Sequence, residues 1–432
     1  MSAGLIEPAA PDARLRADPL ADETIDRILG AWAGSAPLSR WDAIALVERE
    51  MAGWTTNGAL EGWQADAATP APVAAALEAF VRQARALPAW ADPGKIGCAE
   101  AVLAGAGPMA CALLACASLP ESAMARPGTE PDAGDALRGA AGLVFAAMSR
   151  GGLLDAAGAG LARVLRLRLT HALTRHLIVR GNPAEAFAYG AAIPALLPEG
   201  PGTQRALFAR GWDLCAHGLP WNQEVLAHTL LSFHYVFLRS LRRLGLGVSR
   251  EEESAWLHAW NVVGHLLGIE DGLLAGTMTD AAALLTRLQR NVRPAGGAQP
   301  ALAPGLLQTM RGAFAARALE PLPLLVARRL CGRATRRDLG LDGQVSWFAR
   351  ALFGFGMGAA RVIDSVLRLP LPGVSIARLV MRILGYRLAL PALGAALPRD
   401  WDLDPRAPRW IKAIEGRFRA GRSANAGREA AA

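Results

Sequence analysis

Seven histidines (His171, His176, His217, His228, His234, His258 and His265) fall within one 95-residue stretch of the 432-residue chain. Imidazole is the commonest metal ligand and the side chain best suited to moving protons near neutral pH. Their spacing therefore bounds the chemistry open to the chain. No HExxH is present and no zinc-ligand spacing occurs. His228 and His234 are six apart and fall on different faces of a helix. His258 and His265 share a face, but no acid lies within a turn to complete a two-iron site. There is no GxSxG, no P-loop and no dinucleotide fingerprint, and the GAGP at Gly105 to Pro108 is too short and wrongly placed to cradle a phosphate. A single-histidine site fits the spacing better than a multi-histidine centre.

The candidate for that single histidine is His171, in RVLRLRLTHALTRHLIVRG from Arg163 to Gly181. The stretch lacks Asp, Glu and Pro and closes on a glycine, which predicts a mostly buried helix. At 3.6 residues per turn, Val164, Arg168, His171, Arg175 and Ile178 fall close to one face. Two readings fit an imidazole flanked by arginines on an apolar helix. A haem would use the imidazole on iron, the arginines on its propionates and the leucines around its ring. Alternatively, the histidine is a core residue bonded to a carbonyl and the arginines point outward, and the helix taken alone favours this second reading.

What must position this helix is other helices. Hydrophobic residues make up 52% of the chain and aromatics only 6%, and alternating β-branched runs are scarce, so the expected fold is all-α. The length gives ample capacity for a buried core. Net charge is +8, carried by arginine, since Lys95 and Lys412 are the only lysines. The arginines are dispersed rather than interleaved with aromatics, which argues against nucleic acid and leaves a weak signal for anionic surfaces. Five cysteines (Cys98, Cys111, Cys116, Cys215 and Cys331) form no CxxC pair and read as reduced, buried thiols. The first residues carry acids and prolines where an export signal needs an apolar core, so a cytoplasmic protein is expected.

In chain order, residues 1–22 read as a loose leader, 23–415 as one large helical domain and 416–432 as a disordered tail. Ser39 is a candidate cap for one early helix, Ser249 with Glu251 to Glu253 for a later one, and Thr279-Asp280 for the helix ending near Arg290. Another helix should start at Pro220 to Asn222 and run to about Leu244. Asn222, Gln223 and Glu224 should cap it and tie loops to it. His258 and His265 are expected in the core beside Trp256 and Trp260. The charge-free Ala101 to Leu119 run is rich in Ala and Gly and holds Pro108, so buried helices are expected there rather than a membrane span. Pro370 to Leu397, apolar with Arg378, Arg382 and Arg387, leaves room for a peripheral membrane contact. Residues 182–210 form a long connection beside the candidate helix.

Taken together, RLTHALTRHL, GWDLCAHGLPWNQEVLAHTLLSF and WLHAWNVVGHLLGI resemble the haem-containing oxygenases of the MpaB and rubber-oxygenase (latex-clearing protein) family. That pattern is met by Arg168, His171, Ala172 and Arg175; by Gly218, Pro220, Asn222, Gln223 and Glu224; by Thr229, Leu230 and Phe233; and by Trp260, Val263, Gly264, Leu267 and Gly268. The resemblance implies a haem b pocket inside the helical domain, with His171 as the proximal iron ligand. It implies Arg168, Arg175 and Thr229 as further cofactor-binding residues, and O2 as co-substrate. It also implies catalytic roles for Arg138, matching a distal-face arginine, and for Glu121. Ala141 and Gly142 stand where the rubber-cleaving members place a lysine and a threonine. The function implied is oxygenation of an apolar, unsaturated isoprenoid or lipid-like substrate. The alternative is a helical protein that binds haem or a hydrophobic ligand without turnover, which the altered distal residues favour.

Overall fold

The computed structural model describes residues 12–30, 40–106, 117–118, 142–180, 214, 218–244, 248–292, 321–338, 340–341, 343 and 346–367. Among them every regular element is a helix and no strand occurs. The longer helices are α1 (Pro19–Gly30), α2 (Arg40–Ala52), α3 (Ala71–Ala84), α4 (Pro93–Ala106), α5 (Gly160–Arg180), α6 (Gln223–Leu244), α7 (Arg250–Leu266), α8 (Met278–Val292), α9 (Leu322–Leu330), α10 (Arg333–Asp338) and α11 (Trp347–Leu367). No helix among the described residues is long and apolar enough to cross a membrane. Ser39, most of the 107–141 stretch, the 182–210 connection and the 416–432 tail lie outside the described residues.

Local chemistry sets several helix ends. Ser249 caps α7, accepting from the Glu252 N–H while the Glu252 carboxylate accepts from the Ser249 N–H. At the other end the Gly268 N–H bonds the His265 carbonyl and the Ile269 N–H bonds the Gly264 carbonyl, a Schellman closure. Gly268 adopts φ +82°, and a Cβ there would sit 2.6 Å from the Asp18 carboxyl. Glycine is thus required both for the turn and for the approach of Asp18. Asn222 starts α6 by accepting from the Val225 N–H at 3.0 Å. The cap of α8 differs from expectation: the Asp280 N–H is taken by the hydroxyl of Thr277, not Thr279. A capping side chain must accept from an amide two or three residues ahead, and Thr277 has that offset.

The core is one cluster centred on α5, which packs against α1 and α7; α7 also packs against α4 and α6, and α6 against α8. Trp256 and Trp260 are fully buried, lying against Phe237 (ring centroids 4.6 Å) and Phe233 (5.5 Å). Burying each such ring stabilises the fold by about 2–3 kcal/mol relative to leaving it exposed. His234 is fully buried beside them, and burial pushes its pKa down to about 3. Cys98 and Cys331 form no disulfide among the described residues; Cys331 is buried and Cys98 only half-buried.

The N-terminal segment corrects the sequence reading. Residues 12–22 are not a loose leader: α1 begins at Pro19, and the segment before it is bonded to the loop preceding α6. The Leu219 N–H donates to the Arg14 carbonyl at 2.8 Å and the Gln223 N–H to the Arg16 carbonyl at 2.9 Å. Arg16 pairs with Glu270. Hydrophobic periodicity missed this because the segment is held through its backbone and its acids.

Those acids define the contact that places α5. Asp18, Asp22 and Asp26 recur every fourth residue, the first just before α1 and the other two on its face in line with it. Arg168, Arg175 and His176 meet them from α5. The Arg168 guanidinium donates through Nε and Nη2 (2.8 Å) to the two Asp18 oxygens and through Nη1 to the Leu266 carbonyl at the end of α7. Arg175 donates Nε to Asp22 Oδ1 at 2.9 Å, and His176 Nδ1 meets Asp26 Oδ1 at 2.9 Å. Asp18 is 2% exposed and Arg168 9%, so removing either partner strands a charge in the interior.

Two outcomes follow. Asp18→Ala should lower stability in urea by about 3–5 kcal/mol, and a loss under 1 kcal/mol would contradict a buried pair. For His234, the unfolded chain takes up a proton below the ordinary 6.5 that the folded chain refuses until about pH 3. Stability should therefore fall with pH through that window. His234→Phe should flatten the slope between pH 6 and 4, and unchanged slopes in the two proteins would refute the assignment.

Candidate functional site

His171 projects from the middle of α5, three residues after Arg168 and four before Arg175, and is half-buried. Its ring lies parallel to the indole of Trp221, with centroids 5.5 Å apart and planes 18° from parallel. The stack fixes the imidazole plane while covering only a face. A metal is bound by the in-plane lone pair of a ring nitrogen, so an indole on the face does not obstruct ligation.

Trp221 reaches that position through a strained backbone. Its φ of +49° is the only positive value among the described non-glycine residues. A bulky side chain in the left-handed region costs about 1–3 kcal/mol and persists only where its surroundings hold it. Arg175 supplies the hold, donating Nη1 to the carbonyls of Pro220 (3.1 Å) and Trp221 (3.3 Å). Asn222 fixes the far side, bonding back to the Leu219 carbonyl while capping α6. One guanidinium thus ties three segments together: α1 through Asp22, the 220–221 turn, and its own helix one turn from His171.

The two expected propionate partners are each paired with an acid. Arg168 is neutralised by Asp18 and lies over the Phe80 ring at 5.9 Å; Arg175 is matched by Asp22. Burial raises the Asp22 pKa against the opposing pull of Arg175. The arginines position the histidine helix, and the physical reason is the acid ladder on α1. Asp18, Asp22 and Trp221 were not singled out from sequence, although the four-residue acid spacing was there to be read.

A second pair of arginines stands differently. Arg163 and Arg166, on the first turns of α5, have pKa values lowered by burial; for Arg166 the nearby charge of Arg163 adds to the effect. Neither is paired with a carboxylate among the described residues. Arg163 lies against Gly142 in the helical stretch 142–148, and a Cβ at Gly142 would come within 2.4 Å of its Nη2. The missing side chain at 142 is thus matched by an arginine occupying the space.

Thr229 sits half-buried on α6, its carbonyl accepting from the Ser232 hydroxyl at 2.6 Å. Arg138, Glu121 and Ala141 lie outside the described residues. Gln223 and Glu224 tie loops as expected: Gln223 bonds the Ala17 and Gly268 carbonyls and the Glu270 N–H, and Glu224 accepts from Asn291. His258 and His265 are not core residues beside Trp256 and Trp260. They lie on another face of α7, edge-on to the partly exposed Trp90, with His258 Nε2 accepting from the Asp92 N–H. Burial, aided by Lys95, lowers the His258 pKa. Among the described residues no three His, Cys, Asp or Glu side chains converge as a metal site.

Comparison with known proteins gives this geometry a setting. No curated protein matches the chain in sequence. Among solved structures it is similar to latex clearing protein LCP in the closed state, with a TM-score of 0.58 and 20% identity over 88% of this chain and 92% of that one, a likeness of fold. Residues 138–363, more than half of the chain and including α5 to α10, match the family model described as ER-bound oxygenase mpaB/B'/Rubber oxygenase, catalytic domain. The chain belongs to the MpaB and rubber-oxygenase catalytic-domain family.

Proposed function

We propose that this protein is a haem b-dependent oxygenase acting with O2 on an apolar, unsaturated substrate of isoprenoid or lipid type, and that His171 is the proximal iron ligand. Supporting this are membership of an oxygenase family and one arrangement: a half-buried imidazole, its plane set by Trp221, on a helix locked by one buried and one half-buried ion pair. With no cluster of three such ligands among the described residues, His171 suits haem iron, which asks the protein for as little as one nitrogen, better than a non-haem centre, which needs several protein ligands. When bound, the haem supplies an iron able to bind and activate O2. Polyisoprene, as the substrate class named for rubber oxygenases, is one candidate for the double bond attacked.

The chain's own residues do the positioning. Trp221 holds the imidazole plane, and Arg175 holds Trp221. Arg168, through Asp18 and the Leu266 carbonyl, fixes α5 between α1 and α7. Arg163, exposed on the first turn of α5, and Arg166, half-buried a turn on, are unmatched by acid among the described residues and are cations available for the haem propionates beside Arg168 and Arg175. Arg138, Glu121 and Thr229 remain candidates for the distal and cofactor contacts. A second reading, haem or hydrophobic-ligand binding without turnover, is favoured by Gly142, which offers no polar group; O2 uptake with isoprenoid substrates separates the two readings.

Protein purified with haem should show a Soret band that His171→Ala abolishes, while a wild-type protein that takes up no haem would end the proposal. Arg163→Glu with Arg166→Glu should weaken haem affinity roughly tenfold to a hundredfold, as expected for losing a charge-assisted hydrogen bond, with urea stability unchanged. Equal affinity in haem titrations would return the propionates to other residues.

A further inference from the structure

Two histidines on the outer face of α7 take opposite hydrogen-bonding roles, and one of them holds the start of α4. His258 Nε2 accepts from the Asp92 N–H at 2.8 Å. An accepting ring nitrogen carries no proton, so this imidazole is neutral, with its proton on Nδ1. Asp92 is also the cap of α4, the helix that packs along α7. Its Oδ1 accepts from the Gly94 N–H at 2.8 Å and the Lys95 N–H at 3.2 Å, and its carbonyl accepts from the Ile96 N–H. Two residues earlier, Trp90 stands edge-on to His258 (ring centroids 5.6 Å) and to His265 (5.9 Å), with 42% of its surface exposed. The cap, the exposed indole and the His258 ring thus form one connected contact.

Protonation removes that contact. An imidazolium has two donors and no acceptor, so a proton on Nε2 would face the Asp92 N–H. Burial opposes the charged form of His258 most, Lys95 of α4 opposes it further, and the Asp92 carboxylate favours it. On α7 itself the positions a turn away, Ser254, Ala255, Asn261 and Val262, carry no charge. Further along the α4–α7 contact, Cys98 feels the charges of Glu251 and Glu252. His265 responds the other way: its Nδ1 meets Asp271 Oδ1 at 3.3 Å, a pairing that a proton strengthens. We propose that His258 is a proton-operated latch: neutral, it holds the Trp90 turn and the N-terminus of α4 against α7, and protonated, it lets them go. The hold matters beyond the surface, because Glu100 of α4 accepts from the Gly151 N–H at 3.0 Å in the turn that leads into α5. The latch is independent of whether His171 binds iron. The sign follows from the folded-state pKa lying below the ordinary 6.5: the latch is closed above that pH and opens as pH falls through the lowered value.

The test is amide hydrogen exchange of the full chain between about pH 7.5 and about pH 4.5, expressed as protection relative to the unstructured rate at each pH. A local readout is needed because His234 also titrates with folding. Protection of the first turn of α4 (Gly94, Lys95 and Ile96) should fall about fivefold to tenfold at the lower pH, the worth of one hydrogen bond. Protection of α7 and the circular dichroism spectrum should hold. In His258→Gln the side-chain carbonyl reaches the position of Nε2 and accepts at any pH, so the turn should stay protected throughout. In His258→Ala it should be loose at both ends of the range. Should the alanine variant misfold, the wild-type titration and the glutamine variant decide the matter. Unchanged protection in the wild type, a loss that persists in His258→Gln, or a loss abolished by His265→Gln would each overturn the proposal.

Discussion

The arrangement of this protein's centre depends on two arginine–carboxylate pairs, one buried and one half-buried, across one helix–helix contact. Asp18, just before α1, and Asp22 on α1 neutralise Arg168 and Arg175 on α5, and Asp26 extends the series to His176. An unmatched guanidinium in the core would cost several kcal/mol, so α1 and α5 have a single register in which both charges are matched. The same guanidinium groups reach beyond α1. Arg168 closes a carbonyl at the end of α7, and Arg175 closes two in the turn before α6. Three segments distant in sequence are thus fixed relative to one helix by two side chains.

His171 lies between those arginines, and its surroundings follow from them. Trp221 is held in a left-handed backbone conformation that a tryptophan does not adopt unaided, and the hold comes from Arg175. The stored strain is exchanged for a fixed imidazole plane. This is the preorganisation a lone metal ligand requires, because a single bond to iron leaves the ring free to rotate unless the protein restrains it. The fold, shared with latex clearing protein, and the family to which residues 138–363 belong, give that restrained histidine a chemical context.

Much of this was legible in the sequence, for identifiable reasons. Helix class, the long α5 and α6 and the Ser249 cap follow from composition, periodicity and capping chemistry, all of which act over a few residues. The block Pro220 to Glu224 was read correctly as a cap and loop tie because each role has a local signature. What escaped was long-range pairing. Arg168 and Arg175 look identical in sequence whether they face a ligand or an acid 150 residues away, and only the fold brings Asp18 and Asp22 to them. The same limit explains why residues 12–22 read as loose: their attachments are to Glu270 and to backbone groups near Gly218. His258 and His265 went astray because one helix carries both a core face with Trp256 and Trp260 and an outer face against Trp90.

The claim on which the functional account turns is that the nitrogen on iron belongs to residue 171. The most direct measurement is the iron–imidazole stretch in the resonance Raman spectrum of the reduced, haem-loaded protein, compared with that of His171→Gly with and without free imidazole. The account predicts that the band is present in the wild type, absent in the variant, and restored when imidazole fills the vacated space beside Trp221. A band that persists in His171→Gly without added imidazole would contradict it.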